Sequence, residues 1–431
     1  MRSFLELLPG SDLSDAATAT DKLSAPLDPP DDDDLIRPAM EEELERFGEG
    51  ELTKSTPSPL AKHLIWTFGP VHPALSFLLQ FRCEIEHDRL VTVAPEIGWQ
   101  HQGLEKRLES TKWNEIQEIF TWFHPPNPWG HELAWLLALE RLCQIESRVP
   151  RLANLWRSVI SELSRTWEHL MVLSRHMEVH GTRNAQRVFF TARKKLEDLL
   201  RPLLWQDDAP TPVFGGLKNA PSQMHMQSLR QALPELLSDV QDFADITRKN
   251  PSLLVGLAGL GGIEADDAIA IGLTGPALRA VGVRDDIRVN DPYFAFRELA
   301  PRVPERSAGD ARARFEIRLE EVLASSALIL RALAAMDDAA PEYAIPAAQL
   351  PMETGRILPP AGRSVASVEL PNGEFTLMLD SDGKDQPNRV RIRTPSFSLA
   401  SALGEFLRNA TLDEIQTILT SLGMLGAEID R

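Results

Sequence analysis

Apolar positions recur every three to four residues along most of the chain and every second residue near its two ends. The period of two comes first at residues 77–86 and 90–93, which alternate like a hairpin turned at His87-Asp88-Arg89. Gly69-Pro70 and His72-Pro73 mark a turn before it, and Gly98 one after it, leading through His101-Gln102-Gly103 into a helix near Leu104. The helical period then takes over at 113–122, stops at Pro125-Pro126-Asn127-Pro128, and resumes at 131–144. Pro150 is suited to the first turn of a helix running to about His176, and further helices are expected over 184–200, 227–249 and 315–336. Residues 205–222 read as a Pro/Gly-rich loop, 253–263 as a Gly-rich apolar stretch, 264–271 as a short helix and 272–276 as a turn. From Ser364 the period is two again: strands 365–370 and 374–380 about Pro371-Asn372-Gly373, with a third at 389–393. Helices over 399–408 and 412–422 follow. The pattern predicts an α+β, mainly α fold: a helical bundle with small β-elements near the N- and C-terminal ends.

Residues 1–60 break this pattern. They hold 15 of the acidic residues against 5 Lys/Arg, a net −10 of the chain's −18. Such a composition is expected either to stay disordered or to dock on a basic partner. The domain organisation expected is therefore an acidic tail, 1–60, and one large domain, 61–431. The negative balance argues against nucleic acid or an anionic membrane surface as the main partner. No secretory signal and no apolar run of about 18 residues is present, so no membrane-spanning segment is expected. Cys83 and Cys143 are the only cysteines, which fits a reducing, cytoplasmic compartment and rules out a four-thiolate cluster or nickel site made by this chain alone.

Candidate chemistry gathers around the first hairpin, which sets His72, Ser76, His101 and Gln102 on loops at its ends. The run Gly69-Pro70-Val71-His72-Pro73-Ala74-Leu75-Ser76-Phe77, followed by Pro95-Glu96-Ile97-Gly98 and His101-Gln102-Gly103-Leu104-Glu105-Lys106, resembles a family signature of the form GPxHPxxHG…PxIGxxHRGxEK. That family is the D-type subunit of the NADH-quinone oxidoreductases (respiratory complex I), related to the large subunit of [NiFe] hydrogenases. Further blocks resemble it in order: His131-Glu132-Leu133-Ala134 through Leu142, Leu273-Thr274-Gly275-Pro276, Asp291-Pro292-Tyr293, Gly309-Asp310 with Arg314, Arg318 and Glu320-Glu321, Arg393-Thr394-Pro395-Ser396-Phe397, and Glu428-Ile429-Asp430-Arg431.

The resemblance implies a hydrogenase-large-subunit-like fold and a peripheral place on the cytoplasmic side of a membrane-associated complex. It implies no cofactor bound by this chain, a quinone at an interface, an iron–sulfur cluster in a partner subunit and NADH used elsewhere in the complex. The implied partners are a small iron–sulfur subunit of the B type, C-type and ferredoxin-like subunits, and a membrane arm. Family members hold the quinone headgroup between a histidine and a tyrosine, one donor for each carbonyl. Here the histidine position is Ser76, and the tyrosine position, counted without gaps, is Pro125 beside His124. The acidic partner of that histidine falls on Glu178, for which a pairing with a histidine such as His169 inside a helix interface is expected. Two family arginines near the terminal cluster fall on Gln102 and Trp122. His72, Ser76, His101, Gln102, His124 and Glu178 are thus the candidates for a quinone cavity. His72, His101 and His124 are equally open to structural roles in their loops. A [NiFe] site is not expected: it needs two CxxC pairs, and the position of the second reads Ser421-Leu422-Gly423-Met424-Leu425-Gly426. Two functions remain open: an acceptor-reducing subunit of a complex-I-like assembly, or a structural or coupling paralogue that has lost the acceptor site.

Overall fold

The computed structural model describes residues 64–71, 77–124 and 127–431. The acidic tail, His72, Ser76 and Pro125 lie outside them.

The first sheet has three antiparallel strands, β1 Leu64–Phe68, β2 Gln80–Glu86 and β3 Arg89–Glu96, in the order β1-β2-β3. Phe81, Cys83 and Ile85 of β2 point to one buried face, as the period of two requires. β1 was not evident in the alternation, because it is five residues long and ends on a Gly-Pro turn. β3 runs past Pro95, which an edge strand tolerates.

Five helices follow in sequence: α1 Leu104–Glu109, α2 Trp113–Phe123, α3 Trp129–Leu142, α4 Arg151–Val179 and α5 Arg183–Trp205. α3 is buried on nearly every side, including His131, Glu132 and Glu140. α4 is the axis of the bundle and packs against α5 and against a later helix, Ala311–Asp337. Next come α6 Gln223–Lys249, α7 Gly275–Arg279 and α8 Ala311–Asp337. Ser222 caps α6, with His225 closing a capping box, and Asp310 caps α8 through Ala313 N at 2.8 Å. These caps place both helix starts four residues ahead of the apolar periodicity.

The second sheet is β4 Gly362–Leu370, β5 Gly373–Ser381 and β6 Arg389–Arg393, in the order β6-β5-β4. Short helices follow, among them α9 Pro395–Ser401, α10 Ile415–Leu422 and α11 Gly426–Ile429. The helix expected over 399–408 is instead two pieces. Thr394 caps it early, with Pro395 at its first turn, and it breaks at Ala402. One core fills the bundle and the face of the second sheet; another joins the first sheet to α9 and α10. The mainly α architecture with a small sheet near each end is as the pattern predicts.

Candidate functional site

α4, α5 and α10 border an open cavity of about 410 Å³. Its walls are mostly apolar: Met171 and Val172 from α4, Phe190 from α5, Leu419 from α10, and Met424 and Phe77 from the loops beside them. Arg175, Glu178, Gln186 and Arg193 bring polar groups to it. The Arg193 guanidinium lies 5.3 Å from the Trp167 ring centroid and 5.4 Å from that of Phe190. Stacking of this kind fixes a cation beside an apolar wall.

The wall contributed by residues 419–424 is held from behind by two buried arginines of α8. Arg314 donates to Ser421 Oγ from Nε at 3.1 Å and Nη2 at 2.8 Å. Arg318 donates to the Ser421 carbonyl at 2.6 Å and the Leu422 carbonyl at 2.8 Å, capping the end of α10. Burial, with few opposing charges nearby, pulls Arg314 down to about 9 and Arg318 to about 10; each remains a cation at neutral pH. Burial and these two cations push His176 down to about 3, so its imidazole is neutral. Gly423, at φ +68°, makes this packing possible. A Cβ there would lie 2.8 Å from Asn372 Oδ1 and 2.9 Å from Arg318 Nη2.

Deeper in the bundle, buried charged groups pair with one another. Glu321 of α8 lies 2.7 Å from both Arg165 of α4 and Arg279 of α7. Arg279 also reaches Glu369 of β4 at 2.8 Å, and Arg288 bridges Asp286 at 2.6 Å and Glu162 of α4 at 2.7 Å. Burial alone would raise the Glu321 carboxyl; Arg279 and Arg165 instead hold it well below the ordinary range. The network fixes α4, and with it the cavity, against α8 and the second sheet.

A separate titratable cluster lies one turn along α4 from the cavity. His124, at the end of α2, meets Glu168 through Nε2 at 2.5 Å. Burial disfavours its charged form, but the hydrogen bond and charge of Glu168, helped by Glu428, outweigh burial and raise its pKa. His131 of α3 meets Glu428 of α11 at 3.1 Å, and the two imidazole centroids are 6.2 Å apart.

The sequence candidates are therefore dispersed. Glu178 lines the cavity, but it is exposed and has no partner in His169. His169 stands 2.8 Å from Glu321, so the expected Glu178–histidine pair inside the bundle is corrected: Glu178 falls on the exposed side of the last turn of α4, whose His176 and Met177 stay buried. Glu168 and Glu178 are ten positions apart, about 15 Å along the helix. His101 lines a different hollow, with Lys106, Arg391 and Arg431, and Gln102 is exposed nearby. The turn before them is tied down by Asp430, whose carboxylate accepts from Gly98 N and Gln100 N, each at 2.7 Å. Trp122 is 68% exposed and Trp99 48%, whereas Trp113, Trp135 and Trp156 are core. Glu168, Arg193 and Met424 were not legible as site residues, since only tertiary packing brings them near the cavity. Cys83 and Cys143 are free, and burial pushes their thiols up to about 11 and about 12, leaving them unreactive. Among the described residues no three His, Cys, Asp or Glu are placed to hold a metal ion, and no helix is long and apolar enough to cross a membrane.

Residues 209–431 match the family described as respiratory-chain NADH dehydrogenase, 49 Kd subunit. The chain is 28% identical over 398 residues to the first of the D-type NADH-quinone oxidoreductase subunits of Chloroherpeton thalassium, spanning 88% of this chain and 90% of the relative. It is 28% identical over 410 residues to the second such subunit of Thermodesulfovibrio yellowstonii, spanning 89% of this chain and 100% of that one. Among solved structures it resembles a chain of the membrane-bound sulfane sulfur reductase, an archaeal respiratory membrane complex. The TM-score is 0.78 and the identity 26%, over 87% of this chain and 100% of the other.

Proposed function

The chain belongs to the family of the 49 kDa subunit of respiratory-chain NADH dehydrogenase, and from that premise we propose that it forms the acceptor cavity of a complex-I-like oxidoreductase. In this reading it packs on a small iron–sulfur subunit on the cytoplasmic side, and electrons that enter from NADH elsewhere pass from that subunit's cluster to an acceptor. The observation that carries the reading is the 410 Å³ apolar cavity, with Glu178 and Arg193 at its walls and Phe77, the residue after Ser76, against it. A headgroup needs apolar walls and a few fixed polar groups, and this cavity supplies both. His72, Ser76, His101, Gln102, His124 and Glu178 remain the proposed cavity residues. Of these, Glu178 alone lines the 410 Å³ cavity, His101 lines a different hollow, and His72 and Ser76 lie outside the described residues.

Ser76 and Pro125 favour a second reading, a structural or coupling paralogue. Serine is too short to reach where an imidazole would, and proline has no side-chain donor, so both family donors are missing. A changed acceptor is also compatible, since the structural relative is named for sulfane sulfur. Purifying the assembled complex, analysing its metals and assaying reduction of a soluble quinone separates the readings. Weak turnover that rises in the Ser76→His, Pro125→Tyr variant supports an altered cavity on an intact scaffold. Absence of an iron–sulfur partner after gentle purification sinks the acceptor reading.

A further inference from the structure

Arg193 and Glu178 carry opposite charges on the walls of one cavity and are not paired with each other. Among the described residues Arg193 has neither a hydrogen bond nor an ion pair, and its Nε is shut off from solvent without a partner. What holds its guanidinium is aromatic: the buried Trp167 of α4 and the half-exposed Phe190 of α5, at 5.3 and 5.4 Å. Rings fix a cation in place but take up none of its N–H donors. Arg157 shows the contrast. It too lies against a ring, 5.5 Å from the Phe294 centroid, but its Nη donors meet both Glu140 oxygens and the carbonyls of Val213 and Gly216. Arg314 and Arg318 likewise direct their donors into the 421–422 turn. On the cavity wall itself, the Thr420 hydroxyl donates to the Gln416 carbonyl at 2.8 Å. Arg193 is therefore oriented and unpaired, facing an apolar cavity in which Arg175 and Glu178 are the other charged groups.

We propose that Arg193 is the ligand-binding donor of this cavity, and that the acceptor it selects carries an ionised oxygen next to a carbonyl, as a hydroxyquinone anion does. The inference rests on the acceptor reading above and names the substrate class of that cavity. A guanidinium presents two parallel N–H donors, and these match two adjacent oxygens that share one negative charge. A plain para-quinone has its oxygens at opposite ends of the ring and needs two separate donors, which Ser76 and Pro125 do not supply. An ortho pair of oxygens needs a donor group on one side only. Met171, Val172, Leu419 and Met424 then cover the rest of the ring. Two cations against one carboxylate suit a monoanion, and Glu178 repels a second negative charge. Trp167 and Phe190 act as positioning residues, since they reach the ligand through Arg193.

Calorimetric titration of the full chain tests this without turnover and without a partner subunit. The probes are 2-hydroxy-1,4-naphthoquinone, an anion at neutral pH; its neutral 2-methoxy ether; and 2-naphthoate, a carboxylate of similar size that is not a quinone. The hydroxyquinone should bind about ten- to a hundredfold more tightly than its ether, the usual worth of hydrogen bonds between charged groups. Arg193→Gln should remove most of that difference by weakening the anion alone, and Arg193→Lys should retain part of it. Phe190→Leu should lose a smaller part. Glu178→Gln should tighten the anion and leave the ether unchanged, a selective gain that a purely structural role would not produce. Equal affinity for hydroxyquinone and ether, or a preference that survives Arg193→Gln, overturns the inference. So does tighter binding of 2-naphthoate than of the hydroxyquinone, which would make this a carboxylate subsite and not the place of the acceptor. Melting curves identify any Arg193 variant that misfolds, and Glu178→Gln, at an exposed position, then carries the test: an anion affinity it does not raise counts against the site. An assembled complex that binds the hydroxyquinone through Arg193 yet reduces no quinone sinks the acceptor reading and leaves the ligand assignment standing.

Discussion

Replacing Glu321 by glutamine should be among the most damaging isosteric changes available to this protein. The substitution keeps the volume and removes one negative charge from between two guanidinium groups, each 2.7 Å away and at most 1% exposed. At an effective dielectric of about 20, one contact of this kind is worth roughly 4 kcal/mol before desolvation. Part of that is recovered, because Arg279 keeps Glu369 at 2.8 Å and Arg165 keeps Glu162 at 3.8 Å. The expected net loss is about 3–5 kcal/mol, the usual cost of leaving a buried charge short of its partner. Urea unfolding at constant temperature measures it, with refolding checked because chains of this size often unfold irreversibly. Adding Arg279→Met to Glu321→Gln should recover a substantial part of the loss, since the second change removes the stranded cation. A loss below about 1 kcal/mol in the single variant would refute the reasoning, because it would mean that water reaches these arginines.

The stabilising effect of Glu168 should depend on pH: His124 has a raised pKa in the fold, so the stability from its pairing is complete below about 6.5 and fades as pH rises through the folded value. The melting-temperature difference between the native chain and Glu168→Gln should therefore be larger at pH 6 than at pH 9, and an unchanged difference contradicts the charged pair. His176 behaves oppositely: neutral in the fold down to about 3, it contributes stability above about 6.5 that is lost on acidification, and His176→Leu should flatten the acid limb of a stability–pH curve. Gly423→Ala should cost about 1–3 kcal/mol in urea unfolding from its positive φ and its close approach to Arg318, and wild-type stability would show that the loop can move aside. The purified chain, with one buried and one half-buried isolated thiol, should carry no stoichiometric nickel or iron by elemental analysis; nickel held by cysteine would reverse the exclusion of a [NiFe] site.

The bundle was readable because its helices carry their period in the sequence, and α2, α3 and α4 begin and end within a few residues of the pattern. Boundaries failed where a cap or a break, not an apolar face, sets them: Ser222, Asp310, Thr394 and Ala402. The site was readable only in part. Glu178 could be named from the resemblance, but its exposure could not, because it sits on the outward side of a turn whose His176 and Met177 are buried, and residue type alone does not show which side faces out. His124 was visible as a lone polar loop residue. Its meaning depends on Glu168, which is 44 positions away and has no local signal. The buried network was the least legible part, since charged residues on an amphipathic helix read as a solvated face until another helix covers them.

The two hydrogen bonds from Gly98 and Gln100 to Asp430 join positions 332 and 330 residues apart. Leu90 and the Asn409–Ala410 segment close a similar loop through paired backbone bonds of 2.9 Å. The first hairpin is thus synthesised early and finished late. While a ribosome is still extending the chain, β3 pairs with β2 but its Leu90 backbone groups and the turn after it still lack their distant partners, and Phe81 and Ile85 lack part of their cover. The nascent chain must wait for its last helices with an apolar sheet unfinished, an interval in which a chaperone or a partner subunit has the most to shield. Premature termination upstream of residue 430 should then be read by the cell as a folding defect in residues made several hundred positions earlier.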